Sequence, residues 1–287
     1  MKLCNLLLAI VVAGLIASPA LATTKKSMDV SNERVQEENV KCVNCHLKEN
    51  YSLVQQWKHS PHAAAQDGKV SCYNCQAADK GDPTSYMHEG ALIKTIQTPK
   101  DCAYCHENEV KQQQQSHHAS AGQIMASLDN VVGEIICSME DKADAVNGCW
   151  QCHGSVVKVM KGSDGKPLIN EYKAVKLDPM TYPNSGIGRL NPDGTKGACN
   201  ACHSKHSFKA SIARQPENCG KCHLGPDHPQ AEIYLESKHG IAYYAASRER
   251  GMNGMNIHKA GKWVLGKDYY TAPTCSTCHI CSFVKSD

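Results

Sequence analysis

Only two phenylalanines stand among the 287 residues, so an ordinary core of aliphatic and aromatic side chains would be unusually thin for a chain of this length. Something other than side chains must fill the interior. Charge of one sign is lacking as well: 31 lysines and arginines face 28 aspartates and glutamates, for a net charge of +3. With no basic cluster, nothing argues for nucleic acid or an anionic lipid surface as partner. Long apolar runs are missing except at the start. There, Lys2 precedes Leu3 to Ile16, and Ser18-Pro19-Ala20-Leu21-Ala22 follows. That pattern reads as a secretory signal over residues 1–22, cleaved after Ala22, with Cys4 leaving alongside it. The run is too short for a comfortable membrane span, and no later stretch is longer. The expectation is therefore an exported, soluble, periplasmic protein comprising residues 23–287, with no separable second domain.

What is abundant is cysteine and histidine, with 17 and 15 residues. Export of such a chain suggests disulfides, and paired cysteines inside a cell suggest zinc. The spacing argues against both. Fourteen cysteines fall in pairs two residues apart: Cys42/Cys45, Cys72/Cys75, Cys102/Cys105, Cys149/Cys152, Cys199/Cys202, Cys219/Cys222 and Cys275/Cys278. Histidine follows six of the seven pairs directly, as His46, His106, His153, His203, His223 and His279. Neither zinc nor a disulfide framework demands histidine at that one offset. Covalent haem does, because two thiols on one short turn can add to the two vinyl groups of a porphyrin edge while the adjacent imidazole reaches the iron. Six or seven haem c groups, with their iron, would also supply the missing apolar surface. The second pair departs from the rule, since Gln76 stands where histidine is needed. Glutamine is a poor ligand for haem iron, so the substitution is read as removing a ligand.

Nine histidines lie outside the motifs. A second imidazole on an iron makes a low-spin electron-transfer centre, and His62, His88, His118, His206 and His239 are taken as distal ligands, with His117 competing with His118. His59 and His258 are left unassigned, and the unpaired Cys137 is read as a buried thiol. The stretches "ENEVKQQQQSHHASAGQIMASL" and "QAEIYLESKHGIAYYAASRERG" have helical composition, whereas His153 to Cys199 is rich in turn signals such as "SDGKP" and "NPDG". No alternating β pattern of useful length appears. The expected fold class is mainly α with extensive loops, wrapped around stacked haems as in a multihaem cytochrome c.

The order of motifs, with "WKHSPHA", "CNACHSKHSF", "CGKCHLGPDH", "SKHG" and "APTCSTCH" beside them, resembles the octahaem hydroxylamine oxidoreductase family of cytochromes from Cys42 to His279. The resemblance implies that the fourth haem, above His153, is catalytic and open on its distal face, with Asp227 and His228 lining the pocket. It implies hydroxylamine or nitrite as substrate, the remaining haems as an electron wire, a redox partner cytochrome or quinol-linked donor, and a homotrimer. Members of the family carry an eighth motif and a helical region after it, whereas this sequence reaches Asp287 soon after the seventh. The resemblance thus reads the chain as a C-terminally shortened relative, and the loop "PMTYPNSGIGRLNPDGTKGAC" places it nearer the reductive branch, which lacks a crosslinking tyrosine. A carrier without its own substrate, or an inactive shortened product, is the alternative.

Overall fold

The computed structural model describes residues 33–65, 70–125, 149–250 and 272–280. The signal region with Cys4, and also Cys137, His258 and Cys281, lie outside the described residues. Helices α1 (Glu33–Glu49) and α2 (Tyr51–Lys58) lead into the one-turn helix α3 (Cys72–Gln76). A hairpin follows, with β1 (Ser85–His88) antiparallel to β2 (Ala91–Lys94) and Ser85 opposite Lys94. The central stretch holds α4 (Pro99–Cys102), α5 (Glu107–Gln114), α6 (Ala121–Met125) and α7 (Trp150–His153). After a long loop come α8 (Ala210–Ala213), α9 (Pro216–Cys219), α10 (Gln230–Glu236), α11 (Lys238–Arg250) and α12 (Cys275–His279). The architecture is mainly helical with extensive loops, and its buried apolar residues are mostly alanine and valine, with Tyr243, Ile96 and Val54 among the largest fully buried side chains.

Both stretches of helical composition are helical, and each is interrupted by a serine. Ser116 takes an extended backbone, accepts from the Ala119 amide and starts the 3₁₀ turn His117–Ser120. Ser237 does the same between α10 and α11, with its Oγ receiving the Gly240 N–H at 3.1 Å. A serine side chain that satisfies the free amides of a helix start competes with continuing the previous helix. The hairpin was not legible in the sequence. Its strands are four residues long, and the turn Glu89-Gly90 places both residues at positive φ, 48° and 82°, the geometry of the tight turn that suits twisted strands. Asn-Gly would have announced it, but Glu-Gly does not.

The loop from Gly154 to Ala198 runs over the back of the fourth motif, as its turn signals suggested. Ile187 and Gly188 donate to the carbonyls of Cys152 and His153 at 3.0 and 3.1 Å. Such backbone-on-backbone packing admits no side chain: a Cβ on Gly186 would collide with the Gly154 backbone nitrogen. The hairpin is pinned differently. Lys94, 2 % exposed, places its ammonium 3.1 Å from Asp82 and 2.5 Å from Asp101, the acid at the start of α4. Burial pulls the lysine pKa down, but the two carboxylates outweigh it and hold the group above its ordinary value. Removing one partner of such a buried cluster leaves uncompensated charge. Lys94→Met should therefore lower the stability of the haem-loaded protein by about 3–5 kcal/mol, read from denaturant unfolding; a change under about 1 kcal/mol would show that water screens the cluster.

Candidate haem sites and the histidine pairs

Each motif closes on itself as a single helical turn. The amides of His106, His153, His203 and His223 donate to the carbonyls of Cys102, Cys149, Cys199 and Cys219 at 2.9, 3.0, 3.0 and 3.0 Å. One such turn brings residues three apart onto one face, so both thiols of a pair face one edge and the histidine follows. Several turns are started by a capping residue just before the first cysteine. Ser71 and Asn74 bond reciprocally ahead of Cys72, and Thr274 pairs with Thr277 ahead of Cys275. The motif that ends in Gln76 therefore has the same local fold as the others. The fourteen motif cysteines are free thiols, and among the described residues no group of three or more metal-ligating side chains converges.

The fourteen thiols are not equivalent, although the repeated spacing treats them as one set of attachment points. Cys45, Cys105 and Cys278 are exposed, whereas the first cysteine of each of their pairs, Cys42, Cys102 and Cys275, is half-buried. Cys45 and Cys278 differ most from the rest, because among the described residues no contact joins either to a cysteine of another motif. The physical reason is their place in the fold. They belong to the first and last of the seven turns, on α1 and α12; α1 packs against α2 and α3, and α12 against α9. On such a turn the first cysteine is set against the protein and the second is left facing water. The polypeptide alone therefore does not enclose Cys45 or Cys278, and a porphyrin attached there would have one edge at the surface.

The histidines pair across the fold. His46 faces His88 with ring centres 6.2 Å apart, His106 faces His62 at 6.1 Å, His223 faces His118 at 6.3 Å, and His153 faces His228 at 6.2 Å. These separations have a chemical meaning. An imidazole nitrogen bonds a transition-metal ion at about 2.0 Å and the ring centre lies roughly 1.15 Å behind it, so two imidazoles on opposite sides of one iron have centres about 6.3 Å apart. Four motif histidines thus meet a partner at the spacing one haem iron requires, and the residues fit the group. Burial, and then the neighbouring histidines, push the His62 and His118 pKa values down. His153 is lowered too, by burial above all, against the raising effect of the Ala121 backbone. A neutral imidazole is the form that ligates a metal.

His118 rather than its neighbour His117 takes the place opposite His223. His206 lies near enough to His46 for the two to oppose each other's charge, but among the described residues neither it nor His239 stands in ring contact with a motif histidine. His59 instead places Nδ1 2.8 Å from the Gln55 carbonyl oxygen. Asp227 and His228 sit on the exposed turn after the sixth motif, where the His228 amide donates to Gly225. His228 lies 6.5 Å from His223 as well as 6.2 Å from His153.

Cysteines of different motifs also meet. Cys102 lies close enough to Cys199, Cys222 to Cys152, and Cys219 to Cys275 for the neighbouring thiol to push the first thiol's pKa up. Weaker electrostatic coupling links Cys42 with Cys72, Cys75 with Cys105, and Cys202 with Cys219. The attachment turns therefore form a continuous line in the order first, second, third, fifth, sixth, with the fourth and seventh branching from the sixth. At the second turn the arrangement differs. Gln76 Oε1 accepts from Gln97 Nε2 at 2.7 Å, and Gln97 Oε1 accepts from Lys205 Nζ at 2.9 Å. Burial pushes the Cys72 and Cys75 thiols up to about 11. Sequence reasoning missed Gln97, Lys205 and Arg189, because amides and lone cations carry no signal until the fold gathers them.

Comparison with known proteins points the same way. Two family models match, "Seven times multi-haem cytochrome CxxCH" over residues 192–283 and "Cytochrome c554 and c-prime" over residues 101–175. A probable nitrite reductase-hydroxylamine oxidoreductase fusion protein from Kuenenia stuttgartiensis is 27 % identical over 251 residues, covering 83 % of this chain and 25 % of that protein. A solved hypothetical multiheme protein superposes with a TM-score of 0.66 at 30 % identity, over 91 % of this chain and 55 % of the other. A reducing HAO-like protein complex from Kuenenia stuttgartiensis shares the fold, with a TM-score of 0.50 at 23 % identity over 85 % and 42 % of the two chains. The chain spans a quarter of the curated relative and about half of the solved structures it matches.

The pairing makes a spectroscopic prediction. His62→Ala should leave the haem of the third motif with one axial histidine. Low-temperature electron paramagnetic resonance of the ferric protein should then gain one high-spin iron while the others stay as they were. An unchanged spin inventory would mean that His62 does not cap the iron above His106.

Proposed function

We propose that this chain, which its similarities support as a hydroxylamine oxidoreductase-like multihaem cytochrome with covalently bound haem c, is an exported oxidoreductase acting on hydroxylamine or nitrite at the haem of the fourth motif. The observation that carries the reading is the approach of His228 to His153, 75 positions earlier in the chain, at 6.2 Å between ring centres. That approach supports a reading in which the "GPDH" turn would face the fourth haem from the side opposite His153. The likeness to a protein named as a nitrite reductase-hydroxylamine oxidoreductase fusion supports the substrate class.

In this reading His153 holds the iron from the proximal side, and the haem supplies redox chemistry and a site for a small nitrogen ligand. The chain's own residues do the rest. His228, exposed and carried on a turn, takes and delivers protons, with the Asp227 carboxylate next to it in the chain as a second proton-handling group. Reduction of nitrite or oxidation of hydroxylamine moves several electrons together with protons, so a centre of this kind needs an electron path as well as a proton path. The line of attachment turns supports such a path, because the cysteines of neighbouring motifs lie close together and would hold their haems near one another. A cytochrome or quinol-linked donor would exchange electrons at its end, and trimeric assembly belongs to the same proposal.

A second reading rests on the same distance. Since 6.2 Å equals the spacing of the other three pairs, His228 also fits as a sixth ligand, which would make the fourth haem one more electron carrier. Ferric spin states separate the two. An enzyme should show one high-spin iron whose signal moves on adding nitrite or hydroxylamine, and His228→Ala should cut turnover roughly 10²- to 10⁴-fold, the span of a lost general acid-base. A wild-type protein that is low-spin throughout and blind to both ligands, and that gains a high-spin iron only in His228→Ala, would leave the carrier standing instead.

A further inference from the structure

Away from the His153–His228 pair, two cations share one cleft. Arg189 is 3 % exposed, and its guanidinium is held by neutral acceptors alone: Nε donates to Asn191 Oδ1 at 2.7 Å, Nη1 to the Asn184 carbonyl at 3.1 Å, and Nη2 to the Gln97 carbonyl at 3.1 Å. A guanidinium has five N–H groups, so two remain. Lys205 directs one of its three donors to Gln97 Oε1. Both side chains line a cleft of about 290 Å³ together with Gln151, Tyr182, Asn184 and Asn200.

Neither cation makes an ion pair among the described residues. Asp193 feels the field of Arg189, but its oxygens are engaged by Thr98 Oγ1 at 2.7 Å and by the Thr195 amide and hydroxyl at 3.0 and 2.6 Å. The two cations instead oppose one another. Cations withdrawn from water are retained where they are paired, and a guanidinium fork beside an ammonium matches the geometry and charge of an oxyanion. The amides of Gln151 and Asn200 add neutral donors of the kind that orient such a group.

We infer that Arg189 and Lys205 form a receptor for a single carboxylate-like oxyanion, reached through the cleft bordered by the fourth and fifth motifs. Two sources carry that chemistry here, a propionate of a neighbouring haem or a free oxyanion from solution. The receptor stands whether or not the fourth iron is open, since its readouts are anion binding and redox potential rather than spin state or turnover.

The test uses the haem-loaded protein and inorganic sulfate, which does not compete as a strong haem ligand. Calorimetry in low-salt buffer should show one sulfate per chain if the occupant is a free anion, with at least tenfold weaker binding in Lys205→Met. If a propionate fills the receptor, sulfate does not bind. In that case spectroelectrochemistry of Lys205→Met should show one haem at a lower midpoint potential that varies with pH through the carboxylic-acid range, as the unpaired propionate begins to take a proton. Lys209→Met, which removes a charge outside the cleft, should change neither readout. Lys205→Gln, which keeps a hydrogen bond to Gln97, serves if Lys205→Met does not load haem. Absence of sulfate binding in the wild type, with every haem potential and its pH dependence unchanged in the variants, overturns the receptor.

Discussion

The approach of distant histidines to motif histidines, at the spacing one haem iron requires, is the constraint on which this fold turns. One imidazole comes from the residue that follows the two thiols on a single helical turn. The other must come from a distant segment, and the pairs His46 with His88, His106 with His62, His118 with His223 and His153 with His228 tie the hairpin, the end of α2, the 3₁₀ turn and the "GPDH" turn to motifs 42 to 105 residues away. With haem bound, each pair that ligates an iron would be a crosslink through the cofactor. In a chain whose buried apolar residues are mostly alanine and valine, those crosslinks would replace the large side chains that otherwise decide how helices pack.

A fold held this way leaves its polar groups to settle the details. Serine and threonine start the short helices, and a lysine between two aspartates fixes the hairpin to α4. Glycines 154 and 186 let the long loop touch the fourth motif backbone to backbone. These devices are local and strong for their size, which suits segments too short to bury much area of their own. They also explain why the motif turns persist where histidine is lost: the turn at Cys72 is specified by Ser71 and Asn74, not by the residue that would bind iron.

What could be read from the sequence follows the same division. The attachment turns and their histidines were legible because haem chemistry fixes an offset; of the five histidines expected as distal partners, His62, His88 and His118 lie opposite motif histidines and, among the described residues, His206 and His239 do not. That offset is blind to burial, so the exposure of Cys45 and Cys278 at the two outermost turns could not be read from it. The approach of His228 to His153 was reachable only through family resemblance, since a turn with an exposed histidine carries no signal by itself. The hairpin was hidden by an untypical turn pair, and the splits at Ser116 and Ser237 by strong helix formers on either side. Least visible of all was the cleft, whose two cations come from positions 189 and 205 and acquire meaning only when the guanidinium and the ammonium are brought together around the Gln97 amide.

Gln76 belongs to that last group, and its role is more than a missing ligand. Its side-chain oxygen accepts one hydrogen of the Gln97 amide, while the Lys94 carbonyl lies 3.3 Å from the same Gln97 nitrogen. With both amide hydrogens directed there, Gln97 has its oxygen left to face Lys205, and its backbone carbonyl meets Arg189. An iron-bound imidazole at position 76 would have no lone pair to offer, since one ring nitrogen would hold the metal and the other would carry a proton. The glutamine therefore orients Gln97 in a way that histidine could not, and ties the second attachment turn to the cationic cleft. In the line of cysteine contacts the second turn is what joins the first to the third. The residue that stands in place of the iron ligand at this link is thus the one that connects it, through Gln97, to Arg189 and Lys205.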